Sequence, residues 1–191
     1  MSLQENVYRV LLLSHSSSFN KVIKDIFPTF IFTDCDNVSN GQRLVSENNY
    51  DFIIINAPIK EELGHQFAIE CSVNKTNIVL YVINEDLYNK YNEIMAKNGV
   101  FVLSKPLSRR QLMQSINHLI CTREKMRMYE NKIHSMDARI RQMRLMNQAK
   151  CLLMSVRVMS EEQAHHYIEK YAMDHCISKN EAALLIINQY K

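Results

Sequence analysis

Short apolar runs alternate with amphipathic stretches along the first part of the chain. Four runs, at 7–13, 51–55, 78–83 and 100–103, are nearly continuous in apolar residues, and a weaker run lies at 30–34. Continuous apolar strands are typical of parallel sheets that are covered on both faces. The pattern predicts a doubly wound α/β domain of five parallel strands, in which ligands bind at the carboxyl ends of the strands. The predicted helices between the strands cover 18–27, 41–48, 64–74 and 87–97.

Helix breakers are confined to this part of the chain. All three glycines and all three prolines lie at or before Pro106, so the following 85 residues contain neither. Nothing in that second part strongly interrupts a helix, and a long helix is expected to open it. The chain is therefore expected to divide near Pro106 into an α/β domain and an all-helical domain; a family resemblance of the first part places the bounds of the two domains at 7–121 and 122–191.

The long helix carries an apolar heptad repeat. With Leu112 at an a position, the predicted seam consists of Leu112, Leu119, Met126, Tyr129, Ile133, Met136, Ile140 and Met143. Four to five heptads support a coiled coil, and a polar Asn147 at the next a position is able to set its register. A helix packed within its own chain would show the same stripe. Because little other chain remains to cover it, we predict a homodimer formed through the coiled coil.

Two capping boxes mark the starts of two further helices. Ser160 is followed by Gln163 and Ser178 by Glu181, so each serine and the residue three positions later can cap a helix start reciprocally. The helices predicted at 161–173 and 179–189 carry apolar residues at helical spacing. Together with the end of the long helix, they should form a three-helix bundle.

Composition narrows the class of protein. The chain is 47% hydrophobic and 23% charged, its apolar runs are only strand-sized, and its five cysteines form no CxxC pair. We expect a cytoplasmic protein without a membrane span, metal site, disulfide or cofactor.

The two parts of the chain differ in net charge. Residues 1–106 contain nine Lys/Arg and twelve Asp/Glu, a net charge of −3, whereas residues 107–191 contain fourteen Lys/Arg and eight Asp/Glu, a net charge of +6. A polyanionic partner would bind the second part, although a solvated basic surface would give the same count.

The order of strands and the ending VLSKP at 102–106 resemble the receiver domain of response regulators, over about 7–121. That resemblance implies an acidic pair that holds Mg²⁺, an Asp that accepts a phosphoryl group, a Thr or Ser, and a Lys before Pro. The corresponding positions here are Ser14 and His15 for the pair, Asn56 for the acceptor and Val82 for the hydroxyl residue. Lys105 alone matches.

The missing groups predict a receiver that is not phosphorylated. Mg²⁺ prefers anionic oxygens, and an amide is a poor nucleophile towards phosphorus. Lys105 is then expected to be a structural group that is hydrogen-bonded to Asn56, and the resemblance implies a cis peptide before Pro106. The serines around His15 are more readily interpreted as N-caps than as hydrolase nucleophiles, because no acid stands at a suitable spacing.

The end of the chain resembles the ANTAR domain of transcription antitermination regulators. The matching segments are AKCLLM at 149–154, SEEQA at 160–164, AM at 172–173 and the final Ala183. The resemblance covers about 126–190 and implies binding of RNA stem-loops. The chain departs from the family pattern at Cys151, where Gly is usual, and at Met159, where Leu is usual. It also has DHCI at 174–177, where the family often carries several arginines.

RNA binding requires cations for the backbone, and flat or hydrogen-bonding side chains for unpaired bases. The candidate RNA-binding residues are Arg144, Lys150, Arg157, His165, His166, Tyr167, Lys170, Tyr171 and Lys179. Each of them taken singly is also explained as a solvated cation or as the rim of a helical core, so the prediction rests on the patch.

These patterns predict a dimeric RNA-binding antitermination regulator that acts on leader-RNA stem-loops. Its receiver domain would respond to a sensor or regulatory protein, or to a small ligand, and not to phosphorylation. The alternative is a protein–protein adaptor that has lost RNA binding. DNA binding is disfavoured because the last helix lacks an Arg/Asn-rich face for reading bases, and no catalytic constellation supports an enzyme.

Overall fold

The computed structural model describes residues 7–60, 62–74 and 77–190. The chain divides into two compact units, at 1–124 and 125–191. Helix α5 (Arg109–Arg157) contributes its first residues to one unit and the remainder to the other. Among the described residues, no helix is both long and apolar enough to cross a lipid bilayer.

The first unit contains a five-stranded parallel sheet in the order β2-β1-β3-β4-β5. Its strands are β1 (Arg9–Ser14), β2 (Ile31–Cys35), β3 (Phe52–Asn56), β4 (Ile78–Asn84) and β5 (Val100–Lys105). The helices between them are α1 (Ser17–Ile26), α2 (Val38–Glu47), α3 (His65–Asn74) and α4 (Glu85–Lys97). All five predicted strands are confirmed, including the weak second strand.

Side chains of the central strands are buried on both faces of the sheet, which explains why these strands appear in the sequence as continuous apolar runs. Leu11 and Ile53 belong to one large apolar core, whereas their neighbours Leu12 and Ile54 point to the opposite face. All four are essentially inaccessible to water. The sheet is therefore covered on both sides, as the sequence predicted.

Polar caps fix two of the helix starts. Ser16 accepts a hydrogen bond from the backbone N–H of Phe19 and caps α1, which agrees with the prediction that these serines serve as N-caps. Asn37 caps α2 by accepting from the backbone N–H of Asn40, so that helix begins at Val38 and not at the predicted position 41.

The first part of α5 is fixed within the first unit. Leu112 and Leu119 are each 2% exposed. Arg123 forms an ion pair with Asp51 (Nε–Oδ1, 3.2 Å), and the Tyr8 hydroxyl donates to Glu124 (2.8 Å). The prediction that Leu112 and Leu119 belong to a dimer seam is therefore wrong, because these two side chains are already buried in the single chain.

The second unit is a small helical bundle. Helices α6 (Glu161–Asp174) and α7 (Lys179–Gln189) follow α5, and both begin with complete capping boxes on Ser160 and Ser178. Their core is built mainly from small and aliphatic residues: Ala149, Leu153, Ala164, Ile168, Ala172, Ala182, Ala183, Ile186 and Ile187. The predicted three-helix bundle and both capping boxes are confirmed.

Candidate functional site: a strand-end pocket and a basic groove

The first candidate site lies at the carboxyl ends of the strands in the first unit. Ser14 ends β1, Asn56 ends β3, and the two residues are direct partners in the sheet. Asn56 Nδ2 donates to Ser14 Oγ (3.0 Å), which also accepts from the backbone N–H of Ser16 (3.1 Å). Both side chains are 5% exposed. The positions at which the receiver resemblance implies a metal ligand and a phosphoryl acceptor are thus joined by a neutral hydrogen bond.

Lys105 enters this region from β5 but forms no hydrogen bond with the side chain of Asn56. Its ammonium group donates to the backbone carbonyl of Ala57, and burial lowers the pKa of Lys105. The predicted hydrogen bond between Lys105 and Asn56 is therefore wrong. Asn56 Oδ1 is buried without a hydrogen-bond partner among the described residues. The peptide bond before Pro106 is cis, as the resemblance implied.

The remaining receiver positions supply no carboxylate. Val82 is the sheet partner of Asn56, is completely buried, and offers only its backbone carbonyl, which accepts from the N–H of Ala57 (2.8 Å). His15 is exposed. Within the described ranges, no group of three or more His, Cys, Asp or Glu side chains is arranged to hold a metal ion.

The second candidate site is a groove of about 450 Å³ in the second unit, between α5 and the starts of α6 and α7. It is lined by cationic, amide, thioether and imidazole side chains: Arg139, Gln142, Met143, Met146, Asn147, Lys150, His165, Lys179 and Asn180. No carboxylate contributes to this lining. We call it the basic groove.

Two acids from α6 pair with the lysines of the basic groove. Lys150 lies 2.6 Å from Glu161, and Lys179 forms an ion pair with Glu169. Glu169 also lies 3.4 Å from His165 Nε2 and 3.5 Å from His166 Nδ1. The hydrogen bond from Lys150 lowers the pKa of Glu161, and that from Lys179 lowers the pKa of Glu169. Both carboxylates are therefore anionic at neutral pH.

A second cluster of candidate residues surrounds Arg157 at the end of α5. Its guanidinium lies 4.9 Å from the centroid of the Tyr167 ring, and its Nε donates to the hydroxyl of Tyr190 (2.6 Å). Tyr171 stacks on His175 with their ring centroids 4.1 Å apart. Tyr167 and Tyr171 also pack against the bundle core. These aromatic rings are partly used in holding the bundle together.

The structure thus separates the nine predicted RNA-binding residues into groups. Lys150, His165 and Lys179 line the basic groove, whereas Arg157 and the two tyrosines form the second cluster. The other three, Arg144, His166 and Lys170, are exposed and line neither site.

Sequence reasoning missed Arg139 and Asn180 as groove residues. Arg139, Met143, Met146 and Lys150 recur at helical spacing and therefore share one side of α5. That spacing is the signal that could have found Arg139. Asn180 lies beside Lys179 at the start of α7, and only the packing of α7 on α5 brings it to the groove.

The middle of α5 presents an apolar face that the second unit does not cover. Residues 131–144 are all exposed. Within this face Ile133 is 58% exposed and Met143 also 58%. Tyr129, Met136 and Ile140 are exposed as well, and Met126 is half-buried. We call the face formed by these six residues the exposed stripe.

Comparison with known proteins gives separate matches for the two parts of the chain. Residues 134–187 match the ANTAR domain family.

Three solved structures share the fold of the first unit. The inactive regulatory domain of the repressor of iron transport regulator is 15% identical, with 60% of this chain and 96% of that chain covered and a TM-score of 0.52. An adenylate cyclase structure from Rhodopirellula baltica is 15% identical (68% and 98% covered, TM-score 0.60). A receiver domain protein from Clostridium thermocellum is 17% identical (63% and 99% covered, TM-score 0.54).

Comparison with curated proteins gave no match. The matches that were found join a receiver fold in the first unit to an ANTAR domain in the second. A receiver-like fold followed by a segment similar to the ANTAR domain is the arrangement that the sequence predicted.

Proposed function

We propose that this chain is an RNA-binding transcription antitermination regulator that acts as a dimer on leader-RNA stem-loops. The observation that carries the proposal is the basic groove, which lies within the segment that matches the ANTAR domain. ANTAR domains bind RNA, and the groove supplies cations for phosphates together with amides and an imidazole for base edges.

Dimerisation would present two basic grooves to one RNA. The exposed stripe on α5 continues for more than two heptads, and an apolar helix face of this length is stabilised by a second helix. Two grooves that are joined by a coiled coil would suit a leader with two adjacent hairpins, because linked sites bind their second target at a high effective concentration.

The receiver domain would be controlled by a regulatory protein or a small ligand and not by phosphorylation. At the acceptor position stands the amide of Asn56, which is engaged with Ser14. Neither Ser14 nor His15 provides the carboxylate that Mg²⁺ requires. Lys105 is the one residue that matches the receiver pattern, and its ammonium group donates to the backbone carbonyl of Ala57.

The RNA proposal is tested by filter-binding titration of the full chain. The probes are leader RNAs from its own genomic neighbourhood with two adjacent hairpins, measured at two salt concentrations beside a loop-mutated control. We expect binding that weakens with salt and is lost when the loops change. Lys179→Gln should weaken binding roughly three- to tenfold, because one phosphate contact is lost. Lys21→Gln makes the same charge change on an exposed residue of the first unit and should have no effect.

The phosphorylation proposal has a separate test. The purified chain is incubated with acetyl phosphate and Mg²⁺, and its intact mass is measured. No increase by a phosphoryl group is expected, whereas stoichiometric Mg²⁺-dependent phosphorylation would contradict the proposal. A receiver domain with an intact acidic site serves as the positive control.

A protein–protein adaptor is the second candidate function. The bundle exposes large apolar side chains at Val158, Met173, Leu184 and Leu185, and residues 174–177 lack the arginines that the ANTAR resemblance leads one to expect. Large apolar side chains that are exposed in this way are available for contacts with another protein. A folded, dimeric protein that binds none of the tandem-hairpin leaders would favour the adaptor over the RNA-binding regulator.

A further inference from the structure

Charged residues flank the exposed stripe in a pattern that distinguishes the two possible orientations of a coiled coil. With Met126, Ile133 and Ile140 at a positions, the g positions hold Lys125, Lys132 and Arg139, and the e positions hold Glu130, Asp137 and Arg144. All three g residues are therefore cations, and two of the three e residues are acids. In coiled coils, residues at e and g set the partner and its orientation.

A parallel pair of helices would satisfy most of these charges. In that arrangement each g residue faces the e residue five positions later on the other chain, so Lys125 meets Glu130 and Lys132 meets Asp137. In an antiparallel pair, g faces g and e faces e. Lys132 would then face Arg139, and Asp137 would face its own copy, which leaves only Glu130 with Arg144 as an attractive contact.

The third parallel pair is different because it brings two cations together. Arg139 of one chain would meet Arg144 of the other, with no acid between them. Neither arginine has an ion-pair partner among the residues that the structure describes, and both are exposed. Arg139 lines the basic groove and lies at a g position of α5. In a parallel dimer, the e positions of the other chain lie next to these g positions. The uncompensated pair would therefore stand at the rim of the groove.

We propose that a second copy of this chain docks in parallel and in register on the exposed stripe, and that its Arg144 completes a phosphate site with Arg139 at each groove. This proposal rests on the proposed RNA function for its ligand, but its orientation does not. An RNA phosphate between the two guanidinium groups replaces their repulsion with two charge-assisted hydrogen-bonded contacts. RNA and the second chain thus bind cooperatively, and each strengthens the binding of the other by the same factor.

The test uses Arg144→Glu in the full chain, with the dimer dissociation constant measured by sedimentation equilibrium at low salt and without RNA. In a parallel dimer the introduced carboxylate attracts Arg139 of the other chain at both contacts in place of two repulsions, so dimerisation should tighten about tenfold. An antiparallel dimer loses its attraction between Glu130 and Arg144, so dimerisation should weaken. A weakened or unchanged dimer therefore overturns the proposal. Arg141→Glu, at an exposed b position of the same helix, is the matched control and should leave the constant unchanged.

The phosphate site has its own readout. Adding a tandem-hairpin leader RNA to the wild-type chain should tighten dimerisation, whereas the Arg144→Glu dimer should bind this RNA about tenfold more weakly and lose the linkage. A tighter dimer with undiminished RNA affinity would refute the shared site while the parallel orientation stands. A wild-type dimer that binds no RNA would refute the proposed function and the phosphate site together. Circular dichroism of each variant confirms that the helices are intact.

Discussion

Leu119 and Ile140 occupy the same heptad position of one helix, yet their environments are opposite. Leu119 is 2% exposed in the first unit, together with Leu112 and Ile116, whereas Ile140 is 45% exposed in the second. Both belong to one apolar repeat in the sequence. The comparison teaches that a heptad repeat records only which side of a helix is apolar. Whether a sheet of the same chain or a second helix covers that side depends on what lies nearby.

The two stretches of α5 also differ in their polar contacts. Near the end of the first stretch, Arg123 and Asp51 form an ion pair in which both side chains are largely buried. In the second stretch, residues 131–144 are exposed on every side. The first stretch is therefore part of a folded core, and the second is expected to depend on protein concentration for its partner.

The largest effect is expected where the helix is covered by its own chain. Leu119→Ala should lower the free energy of unfolding of the first unit by about 2–5 kcal/mol, since a large aliphatic side chain is removed from a close-packed core. Urea unfolding followed by circular dichroism measures the change, which should not depend on protein concentration. Met128→Ala, at an exposed position of the same helix, should change it by less than about 0.5 kcal/mol. Equal effects of the two substitutions would contradict the difference in burial between the two stretches of α5.

A substitution in the exposed stretch of α5 should affect dimerisation and not the stability of the monomer. Ile140→Asp should leave the unfolding of the monomer almost unchanged but raise the dimer dissociation constant roughly a hundredfold, about 3 kcal/mol, because a carboxylate would be buried in the seam. Sedimentation equilibrium provides the measurement. Asn131→Asp adds the same charge at an exposed position away from the seam and serves as the control. If the wild-type chain is monomeric at every concentration tested, the seam does not exist.

The fold was largely predictable because its signals are local. Continuous apolar runs predicted the five strands, and two serines with a Gln or Glu three residues later predicted the starts of α6 and α7. The start of α2 was missed because Asn37 stands outside the apolar pattern, and its capping role depends on the backbone conformation that precedes the helix. The burial of Leu112 and Leu119 was missed because it depends on packing within the folded first unit, which the heptad repeat does not encode.

The candidate sites were less predictable because their contacts are not local. Lys105 ends β5 and reaches the backbone carbonyl of Ala57 just beyond β3, although β4 lies between these strands. No spacing in the sequence indicates that partner. Lys150, His165 and Lys179 were expected to share a surface, and they line one groove. Their counterions Glu161 and Glu169 were not expected, since each pair joins different helices of the bundle.

A smaller effect should come from the polar contact at the end of the first stretch. Arg123→Met removes the ion pair with Asp51 and should lower the unfolding free energy of the first unit by about 1–3 kcal/mol, because a charge-assisted contact between two largely buried side chains is lost. Urea unfolding at neutral pH gives the value. Arg110→Met, at an exposed position of the same helix, is the control. Equal stability of the two variants would mean that the ion pair between Arg123 and Asp51 contributes little to fixing this stretch.

The smallest effect concerns the charges that surround the second stretch. Glu169→Gln releases Lys179 and removes a negative charge beside the basic groove, so RNA affinity should rise about two- to fivefold. Filter binding at two salt concentrations measures the change. Glu162→Gln makes the same charge change on an exposed residue for which the structure gives no ion pair, and it should raise affinity less.

The same contact gives a pH dependence with a defined sign. Lys179 lowers the pKa of Glu169 below its ordinary value of 4.5, so the ion pair contributes stability above that pH and loses it as the pH falls through the lowered pKa. Acidification should therefore release Lys179 in the wild-type chain and leave Glu169→Gln unaffected at this contact. If Glu169→Gln instead weakened RNA binding, the carboxylate would be an acceptor for a base in the groove and not a competitor for its cations.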